Sequence, residues 1–320
     1  MSDCVPIEEK RSPLPEPCEY DLTIVIVNMN AAAMLFDCLA SIRETAGQLR
    51  LDVIIVDNAS TDGSLAAARE AFPDSVLLAQ SRNLGYVPAN NVGLRRARAP
   101  ITMFLNNDTL IKPGCLQQLV QFMNEHPRVG AVSGQILNAD GSDQGTARRF
   151  PTIANALFGR RSIATRIWPG NPWSRRYMVG RHHSGTEPFE VQILSSACMV
   201  VRTRESLELG GMDEDFRLYW VDAELCSRLR ARGFSIWCVP EAKIIHFEGQ
   251  GGSTKTFRQR LRSTIVFHTD AYHAYTKTHG WKSAHPGSLI TALLLASRCS
   301  MLICVQLARP AHSTSSGGRN

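Results

Sequence analysis

A chain of 320 residues, 44% hydrophobic and 20% charged, is long enough to bury one large α/β domain with an appended portion, and this ordinary composition excludes a mainly disordered or fibrous protein. The net charge of +6 is mild. Its nine cysteines, an odd number with no C-x-x-C pair and several inside apolar runs, argue against a disulfide framework and for a reducing, cytoplasmic setting. The amino-terminal residues, Ser2-Asp3 and then Glu8-Glu9-Lys10, lack the basic start and apolar stretch of a secretory signal.

Residues 1–20 hold four prolines and little apolar periodicity, and read as a disordered leader. From Leu22 the pattern changes. Leu22 to Val27, Val53 to Val56, Val76 to Ala79 and Ile101 to Leu105 have strand character, with helical stretches between them. That alternation predicts a parallel sheet with crossover helices. Lys112-Pro113-Gly114 opens a helix through Glu125, Val129 to Val132 is a further strand, and an irregular stretch follows. Val191 to Val201, Ser235 to Val239 and Lys243 to Phe247 then lie too close together for βαβ units, so the sheet is expected to be mixed, with an antiparallel portion.

The irregular stretch is basic. Arg148, Arg149, Arg160, Arg161, Arg166, Arg175, Arg176 and Arg181 are interleaved with Trp168, Trp173 and Tyr177. A solvated face, a phosphate-bearing ligand or anionic lipid would suit it. No recognised nucleic-acid motif accompanies it, and nucleic acid is not expected as a partner. Near the carboxyl end, Ser288 to Ala308 reaches about the roughly 20 residues of a membrane span, but Arg298 lies at its middle. A central arginine, at about +2.5 to +3.5 kcal/mol, nearly cancels leucines and isoleucines at about −0.3 to −0.6 each. A helix at an interface or packed on the core is expected instead of a clean span.

Three polar clusters stand at strand exits or helix mouths. Asp57 ends an apolar run, and Asn58-Ala59-Ser60-Thr61-Asp62-Gly63-Ser64 is rich in turn formers, with Asp62 or Ser64 able to cap the next helix. A carboxylate at such an exit costs desolvation unless paired, and a base or ribose donor of a nucleotide would suit Asp57. Asn106-Asn107-Asp108 offers oxygen ligands to a hard cation such as Mg²⁺ or Mn²⁺, although a turn or cap would use the same residues. Asp222, after Leu218-Tyr219-Trp220-Val221, opens a helix closed by Gly233 and is the candidate general base. Glu224 lies four residues before Arg228, where an ion pair is a sufficient role. His246 ends a strand ahead of Gly249, Gly251, Gly252 and Ser253, as a metal ligand or an ordinary satisfied polar residue. In a doubly wound sheet these acids converge beyond the carboxyl edges of the strands, which predicts an enzyme with one acid-rich cleft.

The stretches Ile24 to Asn30, Val56 to Ser64, Asn83-Leu84-Gly85-Tyr86 with Asn90-Asn91-Val92-Gly93, Leu105 to Thr109, Gly210 to Phe216 and Trp220 to Leu225 are each weak signals. In this order and spacing they are specific. The chain resembles glycosyltransferase family 2, inverting enzymes of the glycosyltransferase A fold, and within it the rhamnosyltransferase-like and galactofuranosyltransferase-like branch, over about Leu22 to Phe267. The resemblance implies an α/β fold, a Rossmann-like mixed sheet with helices on both faces. It places the catalytic domain at 21–267, with a nucleotide-binding half at about 21–135, an acceptor-binding half at about 136–267, and a helical tail at 268–320 whose end is disordered.

The resemblance also implies roles. Asp57 would read the nucleobase, and Val27, Asn28, Asn30, Ser60, Asn83, Gly85, Asn90 and Asn107 would line the donor. Asp108 would be the metal acid of the D-x-D motif, with His246 as a further ligand to Mg²⁺ or Mn²⁺. Asp222 would be the catalytic base, and Ser196, Trp220 and Glu224 would face the acceptor. Three departures stand out: the first D-x-D acid is replaced by Asn106, Val221 stands where an acid is frequent, and Met29 where tyrosine is frequent. The implied reaction moves a sugar, from dTDP-rhamnose first and a UDP-sugar next, to a cell-surface polysaccharide or lipid-linked glycan, with peripheral contact at the inner face of the membrane. Competing readings are a catalytically silent nucleotide-sugar or glycan-binding module and a nucleotidyltransferase. The latter is disfavoured because Asn28-Met29-Asn30-Ala31 holds no glycine- and lysine-rich phosphate loop, and a dehydrogenase because no G-x-G-x-x-G follows the first strand.

Overall fold

A computed structural model describes residues 19–156, 158–159, 162–248 and 256–308. Nearly all of the expected leader, Arg160, Arg161 and the glycine-rich segment after His246 lie outside the described residues. The first half of the chain runs β1 (Leu22–Asn28), α1 (Ala32–Thr45), β2 (Leu51–Asp57), α2 (Ser64–Ala71), β3 (Val76–Ala79), α3 (Tyr86–Leu94), β4 (Ile101–Asn106), β5 (Thr109–Ile111), α4 (Cys115–Glu125) and β6 (Val129–Leu137). The second half adds the short helices α5 (Ile163–Ile167) and α6 (Pro172–Tyr177), then β7 (Phe189–Val191), β8 (Cys198–Arg202), α7 (Thr203–Glu208), α8 (Val221–Ala231), β9 (Ser235–His246), α9 (Phe257–His279) and α10 (Pro286–Ala308).

The sheet order is β3-β2-β1-β4-β8-β6-β9-β5, with β7 beside β9. Strands β3, β2, β1 and β4 are parallel, while β8 runs antiparallel to both β4 and β6. Continuous apolar runs suit β1 and β2 because both faces are covered. Leu22, Ile24 and Ile26 pack with Leu39 of α1 and Leu119 of α4, whereas Val25 faces Leu94 of α3 and Leu225 of α8. This is the expected mixed sheet with helices on both faces. Its order reverses at β1, so the crevice between the carboxyl ends of β1, β2 and β4 is where ligands of such folds bind.

Two expected elements differ from those observed. The apolar stretch from Val191 to Val201 is two strands, because β7 lies beside β9 while β8 lies between β4 and β6, and the chain must cross the sheet between them. Gln192 and Ile193 make that crossing through backbone bonds to Arg148 at 2.9 Å each. Conversely, Ser235 to Val239 and Lys243 to Phe247 join into the single strand β9. Pro240 cannot donate to a ladder, and the register against β6 shifts there, between Gly134 and Gln135. Gly134 is required at the shift, since a Cβ would collide with the Ala242 carbonyl.

Helix α9 runs unbroken through residue 267, where the tail was expected to begin. It starts with a full capping box, Thr256 with Gln259, and its Asp270 and Lys277 are bonded into the loop ahead of α8. Helix α10 packs on α9 with its polarity inverted. Ser288, Thr291, Leu295 and Arg298 share its buried face, while Leu289, Ile290, Leu293, Met301, Val305 and Leu307 are exposed. Arg298 is therefore covered by protein, its guanidinium over the Phe267 ring at 5.6 Å.

Candidate active site

The strand ends carry a connected polar rim. Asp57, 2% exposed at the exit of β2, accepts from Asn28 Nδ2 (3.1 Å), Ser60 N (2.9 Å) and Ser60 Oγ (2.5 Å). These three bonds offset the desolvation that a carboxylate in this position otherwise suffers. Asn28 Oδ1 in turn accepts from Asn107 Nδ2 at 2.8 Å, which ties β1 to the β4–β5 turn. Asn30, held at φ 50, donates its N–H to Ser60 Oγ (2.9 Å) and accepts from Thr61 N (2.8 Å). The adjoining Asn83–Gly85 turn is fastened by Asn58, whose Nδ2 donates to the Gly85 carbonyl at 3.2 Å. Asn58 itself had no expected role. Val27 sits in register beside Val56 and Asn106 on the same edge. Asn90 is turned inward, donating to the Tyr86 carbonyl at 2.9 Å within α3.

Next along the rim, His246 Nε2 lies 3.2 Å from Asp108 Oδ1 and 3.2 Å from Asn106 Nδ2. The other ring nitrogen meets Gln144 Oε1 at 2.9 Å, and Gln144 Nε2 donates to the His246 carbonyl at 2.8 Å. With its amide nitrogen so engaged, Gln144 presents its oxygen to Nδ1–H, which orients the ring with Nε2 toward Asp108 and Asn106. Asp108 and His246 stand close enough together that both would be able to hold one hard cation such as Mg²⁺ or Mn²⁺. Among the described residues no cluster of three or more acidic, histidine or cysteine side chains gathers around an ion site. Asp108 and His246 alone fit an ion that completes its shell with water and phosphate oxygens. Gln144 was not legible as part of this arrangement; no spacing marks it.

Tyr86 links this pair to the far side. Its hydroxyl lies within bonding distance of Asn106 Oδ1 (3.1 Å), Ser196 O (3.3 Å) and Ser196 Oγ (3.2 Å). Burial pushes the phenol up to about 12, opposed by the bond to Ser196 and reinforced by the charges of Asp222 and Asp108. Asp57 joins the same line through Asn28 and Asn107, so the rim is continuous from the end of β2 to Ser196.

Asp222 stands in the first turn of α8, 9% exposed, its Oδ2 accepting from Arg148 Nη2 at 3.3 Å. Arg148 also donates to Tyr177 Oη (3.3 Å) and the Thr146 carbonyl (3.3 Å), so the guanidinium is fixed from behind. The cap residue Trp220 is in the left-handed region at φ 64, and its buried indole N–H meets no acceptor among the described residues. A non-glycine residue there is strained by about 1–3 kcal/mol and needs surrounding structure to hold it. Asp270 of α9, 1% exposed, supplies that hold by accepting from the consecutive N–H groups of Arg217 (3.3 Å), Leu218 (3.1 Å) and Tyr219 (2.9 Å). Lys277 adds a second fastening, at 2.5 Å to Asp213 and 2.7 Å to Asp215. In sequence Asp270 looks like any acid on an amphipathic helix.

Glu224 is not gathered with the others. Both of its oxygens are taken by Arg228, at 2.6 Å each, and Arg228 donates onward to the carbonyls of Leu209 and Gly211 at 2.8 Å. Burial raises the glutamate and the Arg228 bond opposes that shift. This is the ion-pair role that the spacing allowed, bracing the Gly210-Gly211 turn. Five of the described cysteines, Cys38, Cys115, Cys198, Cys226 and Cys238, are buried, unpaired core thiols, as the composition suggested.

Residues 23–197 match the family described as Glycosyl transferase family 2. An N-acetylglucosaminyl-diphospho-decaprenol L-rhamnosyltransferase of Mycobacterium tuberculosis is 29% identical over 272 residues, covering 81% of this chain and 86% of that protein. An O-antigen biosynthesis protein, RfbC of Myxococcus xanthus, is 29% identical over 204 residues, 62% of this chain and 15% of that protein. Among solved structures, a mannosyltransferase of Pyrobaculum calidifontis in complex with GDP-Man and Mn²⁺ superposes with a TM-score of 0.57 at 18% identity, over 91% of this chain and 76% of that one. At that identity the likeness is one of fold.

Proposed function

The chain belongs to glycosyl transferase family 2 and has the glycosyltransferase A fold, and from that premise we propose an inverting, metal-assisted transfer of a sugar from a nucleoside diphosphate to a lipid-linked cell-surface glycan. dTDP-rhamnose is the first donor to test, because the mycobacterial relative is named for rhamnosyl transfer to a diphospho-decaprenol-linked acceptor. The observation that carries the proposal is the polar rim of strand ends from Asp57 to Ser196.

On this reading Asp57, Asn28, Asn30 and Ser60, with the Asn83–Gly85 turn, hold the nucleoside, and Asn107 lies beside the diphosphate. Asp108 and His246 are the residues that would hold Mg²⁺ or Mn²⁺, which when bound offsets charge on the leaving diphosphate. Asp222 takes the proton of the acceptor hydroxyl as it attacks the opposite face of the anomeric carbon, so the configuration inverts. Arg148 aims that carboxylate, and its 3.3 Å bond is long enough for an incoming hydroxyl to replace. Ser196 and Trp220 flank the acceptor.

The outward apolar face of α10 gives the protein a place on the inner surface of the cell membrane. Its polar stripe, Arg298 included, is turned into the protein, so the arginine that speaks against a span is no obstacle to a helix lying in the interface. Exposed Arg166 and Arg175 of α5 and α6 would meet anionic headgroups. The decisive assay is nucleotide release from a panel of nucleotide-sugars, with and without Mn²⁺ and a polyprenyl-linked acceptor. Donor binding with no turnover under every condition would favour the silent binding module.

A further inference from the structure

Outside the rim, the structure contains a second cavity of about 610 Å³ between the turn Ile153–Ala156 and α6, lined by Arg149, Asn155, Trp173, Arg176, Tyr177 and Gln192 among others. Its walls are fastened. Tyr275 of α9 donates to the Thr152 carbonyl (3.0 Å), Asn155 Nδ2 to the Trp173 carbonyl (3.2 Å), and the Phe150 N–H to Gln192 Oε1 (2.7 Å). Unlike Arg148, which is paired with Asp222, the guanidinium groups of Arg149 and Arg176 have no acidic partner among the described residues.

Three observations say what the cavity would take. Two unpaired guanidinium groups at one opening are suited to phosphate oxygens, which they can grip in a two-pronged way. The wall residue Tyr177 accepts from Arg148, and Arg148 donates to Asp222, so a group held here is separated from the candidate base by one guanidinium. The lining residue Trp173 belongs to an aromatic cluster beside the cavity. Trp173 stacks on Phe158 (4.7 Å) and stands edge-on to Trp168 (6.0 Å), Ile167 is 79% exposed, and the guanidinium of α10's Arg298 lies against Gly159.

We propose that this cavity binds the diphosphate of the lipid-linked acceptor, with Arg149 and Arg176 on the phosphates and Trp173 against the first part of the lipid. The assignment rests on the glycosyl-transfer reading above and adds the acceptor-side anion site, distinct from the Asp108–His246 pair that faces the donor. It explains why a single enzyme has two separate places for phosphate: one for the group that leaves and one for the group that stays.

The test is binding of farnesyl diphosphate to the full chain by calorimetry in EDTA, so that no cation bridges ligand to Asp108 and His246, with farnesol and inorganic diphosphate as parallel ligands. Wild type is expected to bind farnesyl diphosphate in preference to both. An Arg149→Gln, Arg176→Gln double variant, altered only at exposed side chains, should bind it at least about tenfold more weakly, since each lost charged hydrogen bond is large on that scale. Its melting temperature and its donor-only nucleotide release should match wild type. No binding by wild type, equal binding by the double variant, or binding of inorganic diphosphate as tight as that of farnesyl diphosphate each overturns the proposal. Farnesyl diphosphate binding that depends on the arginines, in a protein that releases nucleotide from no donor, would instead sink the transfer reading and leave the cavity assignment standing.

Discussion

The two polar regions of the candidate site are held by different means. The side with Asp57 and Asp108 is made of strand ends, where each polar group bonds to the next strand along and the sheet ladder fixes all of them at once. The side with Asp222 is a loop and a helix mouth, strained at Trp220 and pinned from outside by one buried carboxylate, Asp270, and one lysine, Lys277. A sheet edge is rigid without further help. A loop pinned at two points can be released by altering either one, so the acceptor side is the place where small changes should have large effects on turnover.

Four substitutions separate the two sides. Asp222→Asn removes the base while keeping its shape, and should lower kcat about 10²- to 10⁴-fold, roughly 3 to 5 kcal/mol of barrier, with an unchanged melting curve. Near-wild-type turnover would remove Asp222 from the chemistry. Gln144→Ala frees the His246 ring and should raise the Mn²⁺ concentration for half-maximal activity about 10- to 100-fold, leaving the loop at 217–219 as protected from hydrogen exchange as before. An unshifted Mn²⁺ titration would count against His246 as a ligand.

Asp270→Asn is the mirror case. Losing a carboxylate that accepts three backbone N–H groups should cost about 1–3 kcal/mol of stability. It should also speed exchange at Arg217, Leu218 and Tyr219, and lower kcat while the donor KM stays put. If donor KM rises instead, the loop is not confined to the acceptor side. Smallest in stability is Leu293→Asp on the exposed face of α10, expected within about 0.5 kcal/mol of wild type in the folded state. Its effect should appear only as loss of sedimentation with anionic vesicles; retained sedimentation would place the lipid contact elsewhere.

Sequence alone carried the strand-end side well. Asp57, Asn106 and Asp108 stand out because a polar residue at the end of an apolar run has to be accounted for, and the mixed sheet follows from runs too close for crossover helices. On the loop side the sequence singled out Trp220 and Asp222 but not what holds them. Asp270 sits in α9 among ordinary amphipathic neighbours, and its partners are backbone N–H groups that have no sequence signature. Arg148 was visible only as one basic residue among several. Gln144 acts through a hydrogen bond to a histidine 102 positions away, which no local pattern encodes. In α10 composition pointed to a helix at an interface or packed on the core, and the inversion is visible only once Ser288, Thr291, Leu295 and Arg298 are seen to share a stripe.

Laid flat by α10, the molecule would search for its acceptor by diffusion in a plane, while the soluble donor arrives from the bulk on the other side. Its rate would then follow how many acceptors occupy each unit of lipid surface, and diluting the vesicles at constant composition would leave the turnover of bound enzyme unchanged.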